Sequence, residues 1–127
     1  MNYARSGHQS SVLTNGKVFV TGGENSGGSL NSAELYDLST GVWIMTGSMT
    51  SGRVRHTASI LTNGKVLVSG GQNNGVSVNS AELYDPSTGV WATTGNMNYA
   101  RYDPQSAVLA NGKVLVAGGY ADGVGYL

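Results

Sequence analysis

Asn15-Gly-Lys-Val-Phe-Val-Thr-Gly-Gly23 is the stretch that decides the fold, because the chain repeats it twice at an interval of 48 residues. The copies are Asn63-Gly-Lys-Val-Leu-Val-Ser-Gly-Gly71 and Asn111-Gly-Lys-Val-Leu-Val-Ala-Gly-Gly119. Residues 1–48 and 49–96 are identical at 30 of 48 positions. A fixed period of this length indicates stacked supersecondary units, none of which buries its apolar face alone.

Each repeat predicts four short strands and no helix. The Asn-Gly dipeptide between the first two strands is a strong hairpin signal, and no window shows apolar residues at helical spacing. The predicted strands span residues 7–14, 17–21, 32–37 and 42–46, then 56–62, 65–69, 80–85 and 90–94, and finally 113–117. Antiparallel four-stranded units that are apolar on both faces and repeated in tandem predict an all-β fold of radially arranged sheets, a β-propeller.

Three features of the repeat resemble the kelch-repeat family. They are the glycine pairs that end each copied stretch, the Tyr36-Asp37 and Tyr84-Asp85 pairs, and the tryptophans Trp43 and Trp91. The amino-acid sequence of the repeats is similar to that of bacterial kelch proteins. The resemblance implies one blade over 1–48, a second over 49–96 and the first two strands of a third over 97–127, with the first strand of each blade innermost.

Closed propellers have about four to eight blades, so the resemblance implies an incomplete ring. The strand at 113–117 would then be an exposed sheet edge, and the two end faces would be bare apolar surface. We therefore expect either the rest of a longer propeller or other copies of the chain as partners.

Composition limits the chemistry. Seven basic and seven acidic residues give a formal net charge of zero, which predicts no nucleic-acid partner. The chain has no cysteine, hence no disulfide, thiolate nucleophile or sulfur-ligated metal. No apolar stretch approaches the roughly 20 residues of a membrane span, so no membrane partner is expected. No cofactor or metal is expected. The N-terminus shows no signal-peptide pattern, and a cytoplasmic location or excision from a secreted or surface protein both fit.

Several ionisable residues recur with the repeat and are interpreted as structural. His8 and His56 occupy equivalent positions, as do Glu34 and Glu82, and arginines recur at positions 5, 53 and 101. Buried, paired charges are the favoured interpretation, since an unpaired buried charge costs several kcal/mol. The alternative is a ring of arginines near the channel that receives an anionic ligand.

Residues of the variable loops, most of which depart from the repeat, are the candidate binding surface, because architecture does not dictate the departures. Tyrosine and asparagine on loops form adaptable contact surface. The alternative is ordinary loop drift. In a meander these loops share one end of the stack, opposite the invariant turns. The candidates are Glu24, Asn25, Arg55, Asn73, Asn74, Tyr99, Tyr102, Asp103, Tyr120 and Asp122.

Three functional hypotheses follow. The leading one is a non-enzymatic binding or scaffold module that presents the variable loops to a protein or carbohydrate and self-associates. The second is a piece of a kelch-type oxidase whose active site lies elsewhere, since that family implies copper with a cysteine-linked tyrosine. The third is a designed or excised propeller fragment with no ligand, which the high identity between repeats favours.

Overall fold

A computed structural model describes all 127 residues, and every regular element in it is a β-strand. It contains no helix of the length and apolarity that a membrane crossing requires. In chain order the strands are β1 (Gln9–Val12), β2 (Val18–Thr21), β3 (Glu24–Asn25), β4 (Gly28–Ser29), β5 (Ala33–Asp37), β6 (Val42–Met45), β7 (Thr57–Ile60), β8 (Val66–Ser69), β9 (Gln72–Asn73), β10 (Val76–Ser77), β11 (Ala81–Asp85), β12 (Val90–Thr93), β13 (Gln105–Val108), β14 (Val114–Ala117), β15 (Tyr120–Ala121) and β16 (Gly125–Tyr126).

The main strands form three antiparallel sheets, one for each repeat. Two are four-stranded, in the orders β1-β2-β5-β6 and β7-β8-β11-β12, and the third contains only β13 and β14. The prediction of all-β, kelch-type blades is confirmed, and the sheets do not close into a ring. The turn predicted at the end of the third strand is also present, where Asp37 accepts hydrogen bonds from the backbone N–H and the hydroxyl of Ser39 at 2.9 and 2.6 Å.

Three short hairpins lie where the sequence predicted only loops. β3 pairs with β4, β9 with β10 and β15 with β16, each directly after a glycine pair. Gly22 and Gly23 have φ angles of 64° and 94°, a conformation that side chains disfavour. The glycine pair thus redirects the chain out of the sheet and into the hairpin.

The first strands of the three sheets lie side by side, so they form the inner wall of the assembly. Their side chains are small, and the hydroxyl of Ser106 lies 2.5 Å from that of Thr57 and 2.6 Å from that of Ser59. Small, mutually bonded side chains allow strands from different sheets to approach closely.

The apolar core lies between the first and second sheets. Phe19 of β2 and Tyr84 of β11 are fully buried there, with Val66 beside them. In the first sheet, the equivalent of Tyr84 is Tyr36, which packs beside Trp43. Both are only half-buried because no sheet covers that face. Trp91 of the second sheet is also only partly buried, so Tyr84 is the one repeated tyrosine or tryptophan that is fully buried between blades.

Candidate functional site

The concavity with the most aromatic residues opens at the end of the sheets that carries the variable connections. It has a volume of about 430 Å³. Its walls come from the second and third repeats, and we call it the loop cleft. The lining residues are Arg55, Tyr102, Asp103, Gly119, Tyr120 and Tyr126. It therefore brings together four of the ten residues that the sequence singled out.

Arg55 and Asp103 occupy equivalent positions just before the innermost strands. Their φ angles are 57° and 52°, close to the 62° of Gly7 at the same position of the first repeat. The N–H of Arg55 donates to the carbonyl of Gly7 at 3.0 Å, and that of Asp103 to the carbonyl of Arg55 at 2.9 Å. This ladder forces a left-handed backbone, which costs a non-glycine residue on the order of 1–3 kcal/mol. Glycine adopts this left-handed conformation without strain, so the fold alone does not account for an arginine and an aspartate at these positions.

The two charged side chains of the cleft stand next to each other and remain accessible. Arg55 Nη1 lies 3.9 Å from Asp103 Oδ2, and the side chains are 53% and 61% exposed. An ion pair this open contributes little to stability. The Arg55 guanidinium also lies 5.9 Å from the ring centre of Tyr102, within cation–π range. Both charges are therefore held in place and still free to meet a ligand.

Three tyrosines complete the cleft. The ring centres of Tyr102 and Tyr120 are 5.3 Å apart, and Tyr126 meets Tyr120 edge-on at 5.4 Å. The backbones of Tyr102 and Tyr120 also bridge, which ties β15 to the start of the third sheet. Partial burial raises the pKa of Tyr102, and the neighbouring Tyr120 and Asp122 raise it further. The Tyr102 phenol is therefore neutral at pH 7, with an apolar face and a hydroxyl that both donates and accepts.

Tyr99 and Asp122 lie in a second groove of about 280 Å³, outside the loop cleft. Asp122 accepts a hydrogen bond from the backbone N–H of Ser77 at 2.7 Å, and this bond lowers the pKa of Asp122. Asn74, at the equivalent position, accepts from the N–H of Ser29 at 3.0 Å. These two side chains connect the short hairpins of successive blades.

The remaining three candidates lie away from both concavities. Glu24 is exposed and pairs with Ser6 through its backbone. Asn25 accepts a hydrogen bond from the N–H of Gly27 at 2.8 Å, and Asn73 is half-buried in β9. Conversely, the cleft includes Tyr126, which was not among the ten. Its signal was available, since repeats one and two have leucine and valine at that position.

The repeated charges form buried networks. Arg53 Nη2 donates to Glu82 Oε2 at 2.7 Å, and the pair is almost fully buried. Arg5 and Glu34 repeat this contact at 2.7 Å with both side chains fully buried. Burial opposes ionisation of Glu34, but hydrogen bonds from the N–H of Asn2 and from Arg5 hold its pKa below the usual range. Arg5 and Arg53 are therefore structural and cannot form an anion-binding ring.

His56 is buried between blades. Its ring lies against Gly22 of the preceding repeat, and neither ring nitrogen has a hydrogen-bond partner. Burial, with added repulsion from the charge of Arg53, lowers the pKa of His56 to about 3. No group of three or more His, Asp or Glu side chains is arranged to hold a metal ion.

The fold defines the class of protein: tandem four-stranded antiparallel blades packed face to face are those of a β-propeller. The sequence model of the Kelch motif matches residues 5–50 and 53–98, more than two thirds of the chain. The chain therefore belongs to the kelch-repeat family. No curated protein is significantly similar to it. Kelch repeats generally form non-enzymatic scaffolds for protein interaction.

Proposed function

We propose that this chain is a non-enzymatic interaction module that binds a segment of a partner protein in the loop cleft. The observation that carries the proposal is the left-handed conformation of Arg55 and Asp103, two of the three non-glycine residues with positive φ. The third, Asn74, is held by a hydrogen bond to Ser29 of the preceding blade. The repeat architecture accepts glycine at this position, and strained residues persist at functional sites when the surroundings impose them.

The chemistry of the cleft suits a polar loop with one or two apolar side chains. Arg55 would bind a carboxylate or a backbone carbonyl, and Asp103 would accept from an N–H group. Tyr102, Tyr120 and Tyr126 would contact the apolar side chains, because tyrosine supplies large contact area at low entropic cost. Buried aromatic and arginine anchors carry most of the binding energy in protein interfaces.

A library of random linear peptides displayed on phage tests the proposal. Selected peptides would be titrated calorimetrically against the full chain and against variants that install the residues of the other repeats. These are Arg55→Gly, Tyr102→Val, Asp103→Gly and Tyr120→Gln, each of which the fold already accommodates. We expect at least a tenfold loss of affinity for each.

The matched control is Glu24→Gln, which changes the position equivalent to Tyr120 in the first repeat, outside the cleft. It should bind the selected peptides as the parent chain does. Selected peptides that bind the four cleft variants and the parent equally would refute the proposal.

Carbohydrate is a second candidate ligand, favoured by the three adjacent tyrosine rings, since aromatic faces also stack on sugars. A glycan array probed with the parent and with the Tyr102→Val variant separates this reading from the first. Glycan binding that depends on Tyr102, without any selected peptide, would replace the protein partner. A chain that binds neither library would support the reading of a propeller fragment without a ligand.

Self-association is a separate part of the proposal. Tyr36 and Trp43 on the first blade are only half-buried, and Leu115 on the third is 53% exposed. Apolar end faces of this kind favour contact with other copies or with further blades. Size-exclusion chromatography with light scattering should show species larger than a monomer, whereas a monomer with cooperative unfolding contradicts this part.

A further inference from the structure

The chain contains four Asn-Gly dipeptides, and they lie in two different kinds of turn. Three of them join the first two strands of each sheet, and the fourth joins β9 to β10. They are Asn15-Gly16, Asn63-Gly64 and Asn111-Gly112, and then Asn74-Gly75. Asparagine is a labile residue, above all before glycine, because no side chain hinders the glycine nitrogen as it approaches the asparagine carboxamide. The two kinds of turn expose that nitrogen differently.

In the three repeated turns the glycine N–H is already hydrogen-bonded. Gly16 donates to Leu13 O, Gly64 to Leu61 O and Gly112 to Leu109 O, each at 2.9 Å. In these turns the glycine has a positive φ and the asparagine before it does not. The glycine nitrogen is the nucleophile of asparagine deamidation, which it can be only after it loses its proton. A hydrogen bond that holds this proton inside the turn therefore protects the asparagine.

The turn between β9 and β10 lacks this protection. Asn74 and Gly75 have φ angles of 48° and 83°, as the two central residues of a type I′ turn require. The N–H of Gly75 has no hydrogen-bond acceptor in the chain, and both residues are exposed. A Cβ built on Gly75 would meet no atom within 4 Å. The glycine nitrogen is therefore free and uncrowded in this turn.

The carboxamide of Asn74 is anchored on the first blade. Its Oδ1 accepts a hydrogen bond from the N–H of Ser29 at 3.0 Å, and the N–H of Asn74 donates to Ser29 Oγ at 2.9 Å. Negative charge develops on Oδ1 when a nucleophile adds to Cγ, and a donor already directed at that oxygen stabilises the charge. Asn15 has a comparable donor in the N–H of Lys17, so the two kinds of turn differ in the glycine nitrogen.

The fold accepts other residues at the position of Asn74. The equivalent residue is Ser26 in the first repeat and Asp122 in the third. Asp122 accepts a hydrogen bond from the N–H of Ser77 at 2.7 Å, which is the same kind of link between successive hairpins that Asn74 makes to Ser29. An aspartate at position 74 would therefore keep the contact with the first blade.

We propose that Asn74 is a site of spontaneous deamidation. The Gly75 nitrogen gives its proton to hydroxide and forms a bond to Asn74 Cγ, the bond from Cγ to Nδ2 breaks, and ammonia leaves with a proton taken from water. Water then opens the resulting succinimide at one of its two carbonyl groups, which gives aspartate or isoaspartate. Aspartate keeps the link to Ser29, whereas isoaspartate adds a methylene to the backbone and breaks it. The site lies outside the loop cleft and is independent of the proposed function.

Peptide mapping by mass spectrometry tests the proposal on the full chain, incubated at mildly alkaline pH. We expect Asn74 to be converted at least tenfold faster than each asparagine of the repeated turns. The same incubation in guanidinium chloride is the control, because all four asparagines precede glycine and differ mainly in their turns. The four rates should then agree within a few-fold.

Two variants assign the product. Asn74→Gln should suppress the acidic species that ion-exchange chromatography resolves from the aged chain, because glutamine would have to close a larger ring. Asn63→Gln, the matched control, should accumulate them as the parent chain does. Either of two results overturns the proposal: equal conversion of Asn74 and the other three asparagines in the folded chain, or an advantage of Asn74 that persists unchanged in guanidinium chloride and so does not come from the turn.

Discussion

The phenol ring of Tyr84 lies 4.4 Å from the ring of Phe19 and within 16° of parallel to it. Phe19 belongs to the first blade and Tyr84 to the second, so this stack joins two sheets. Both side chains are completely buried, and the Tyr84 hydroxyl is bonded to Thr46 across the same junction. The blades thus adhere through an aromatic contact that neither blade makes by itself.

Replacing Tyr84 by alanine should lower the free energy of unfolding by about 3–5 kcal/mol, the usual cost of deleting a buried aromatic ring. The matched control is Tyr36→Ala, at the equivalent position of the first blade, where no sheet covers the ring. Urea denaturation of both variants measures the difference. Equal losses in the free energy of unfolding would show that packing at the junction between blades contributes nothing beyond packing within the blade.

Replacing Gly47 by alanine should destabilise the junction by about 1–3 kcal/mol, the usual cost of overpacking. Its added Cβ would collide with the carbonyl oxygen of Gly89 in the next blade. Gly95→Ala, the repeat-equivalent change, meets open space and should be neutral or slightly stabilising. Thermal melts of the two single variants test this: Gly47→Ala should melt at a lower temperature than Gly95→Ala. Equal melting temperatures would contradict the expectation.

Breaking the buried ion pair should be costly. Glu82→Gln leaves the guanidinium of Arg53 buried without a counter-charge, and we expect a loss of about 3 kcal/mol in the free energy of unfolding. Combining Glu82→Leu with Arg53→Met should cost less than the single change, because no lone charge remains. Asp103→Asn, which removes an exposed pair with Arg55, is the control and should change stability little.

Acid should loosen the junction through His56. Its pKa is about 3 in the folded chain and about 6.5 when unfolded, so between these values the unfolded state binds more protons. The free energy of unfolding is therefore highest above about pH 6.5. It falls as the pH drops below this value, by up to about 1.4 kcal/mol per pH unit. Urea midpoints measured between pH 7 and pH 5 would show this slope, in a range above most carboxylate titrations.

The His56→Leu variant should lose most of the slope between pH 7 and pH 5, since leucine does not titrate. His8→Leu is the matched control, because His8 is only half-buried on the first blade and its charge lowers the pKa of His56 less than burial and Arg53 do. It should keep most of the slope. If His56→Leu retains the full pH dependence, another group is responsible.

The strands and tight turns were predictable because their signals are local. Asn15-Gly16 and its copies place the hairpins, and the alternation around Glu34 and Tyr36 sets which face each side chain takes. The two-residue strands β3 and β4 were not predictable, since a strand of two residues has no periodicity to detect. They form because the glycine pair turns the backbone out of the sheet.

The candidate binding residues were only partly separable from sequence. Departure from the repeat identified Arg55 and Asp103, which the structure brings to 3.9 Å. The same criterion selected Asn74 and Asp122, whose side chains bond to neighbouring hairpins. Both groups break the repeat, so a pattern of departures does not distinguish a side chain held by a neighbour from one left open in a cleft.

The amino-acid sequence by itself determined the blade: its meander, its turns and its two apolar faces all follow from short-range chemistry that recurs every 48 residues. Only the tertiary structure decided which of two equivalent residues is buried or in close contact. Tyr84 is buried and Tyr36 is not, and Gly47 is pressed against a carbonyl while Gly95 is open. The physical reason is that burial depends on the neighbouring blade, and identical repeats do not have identical neighbours.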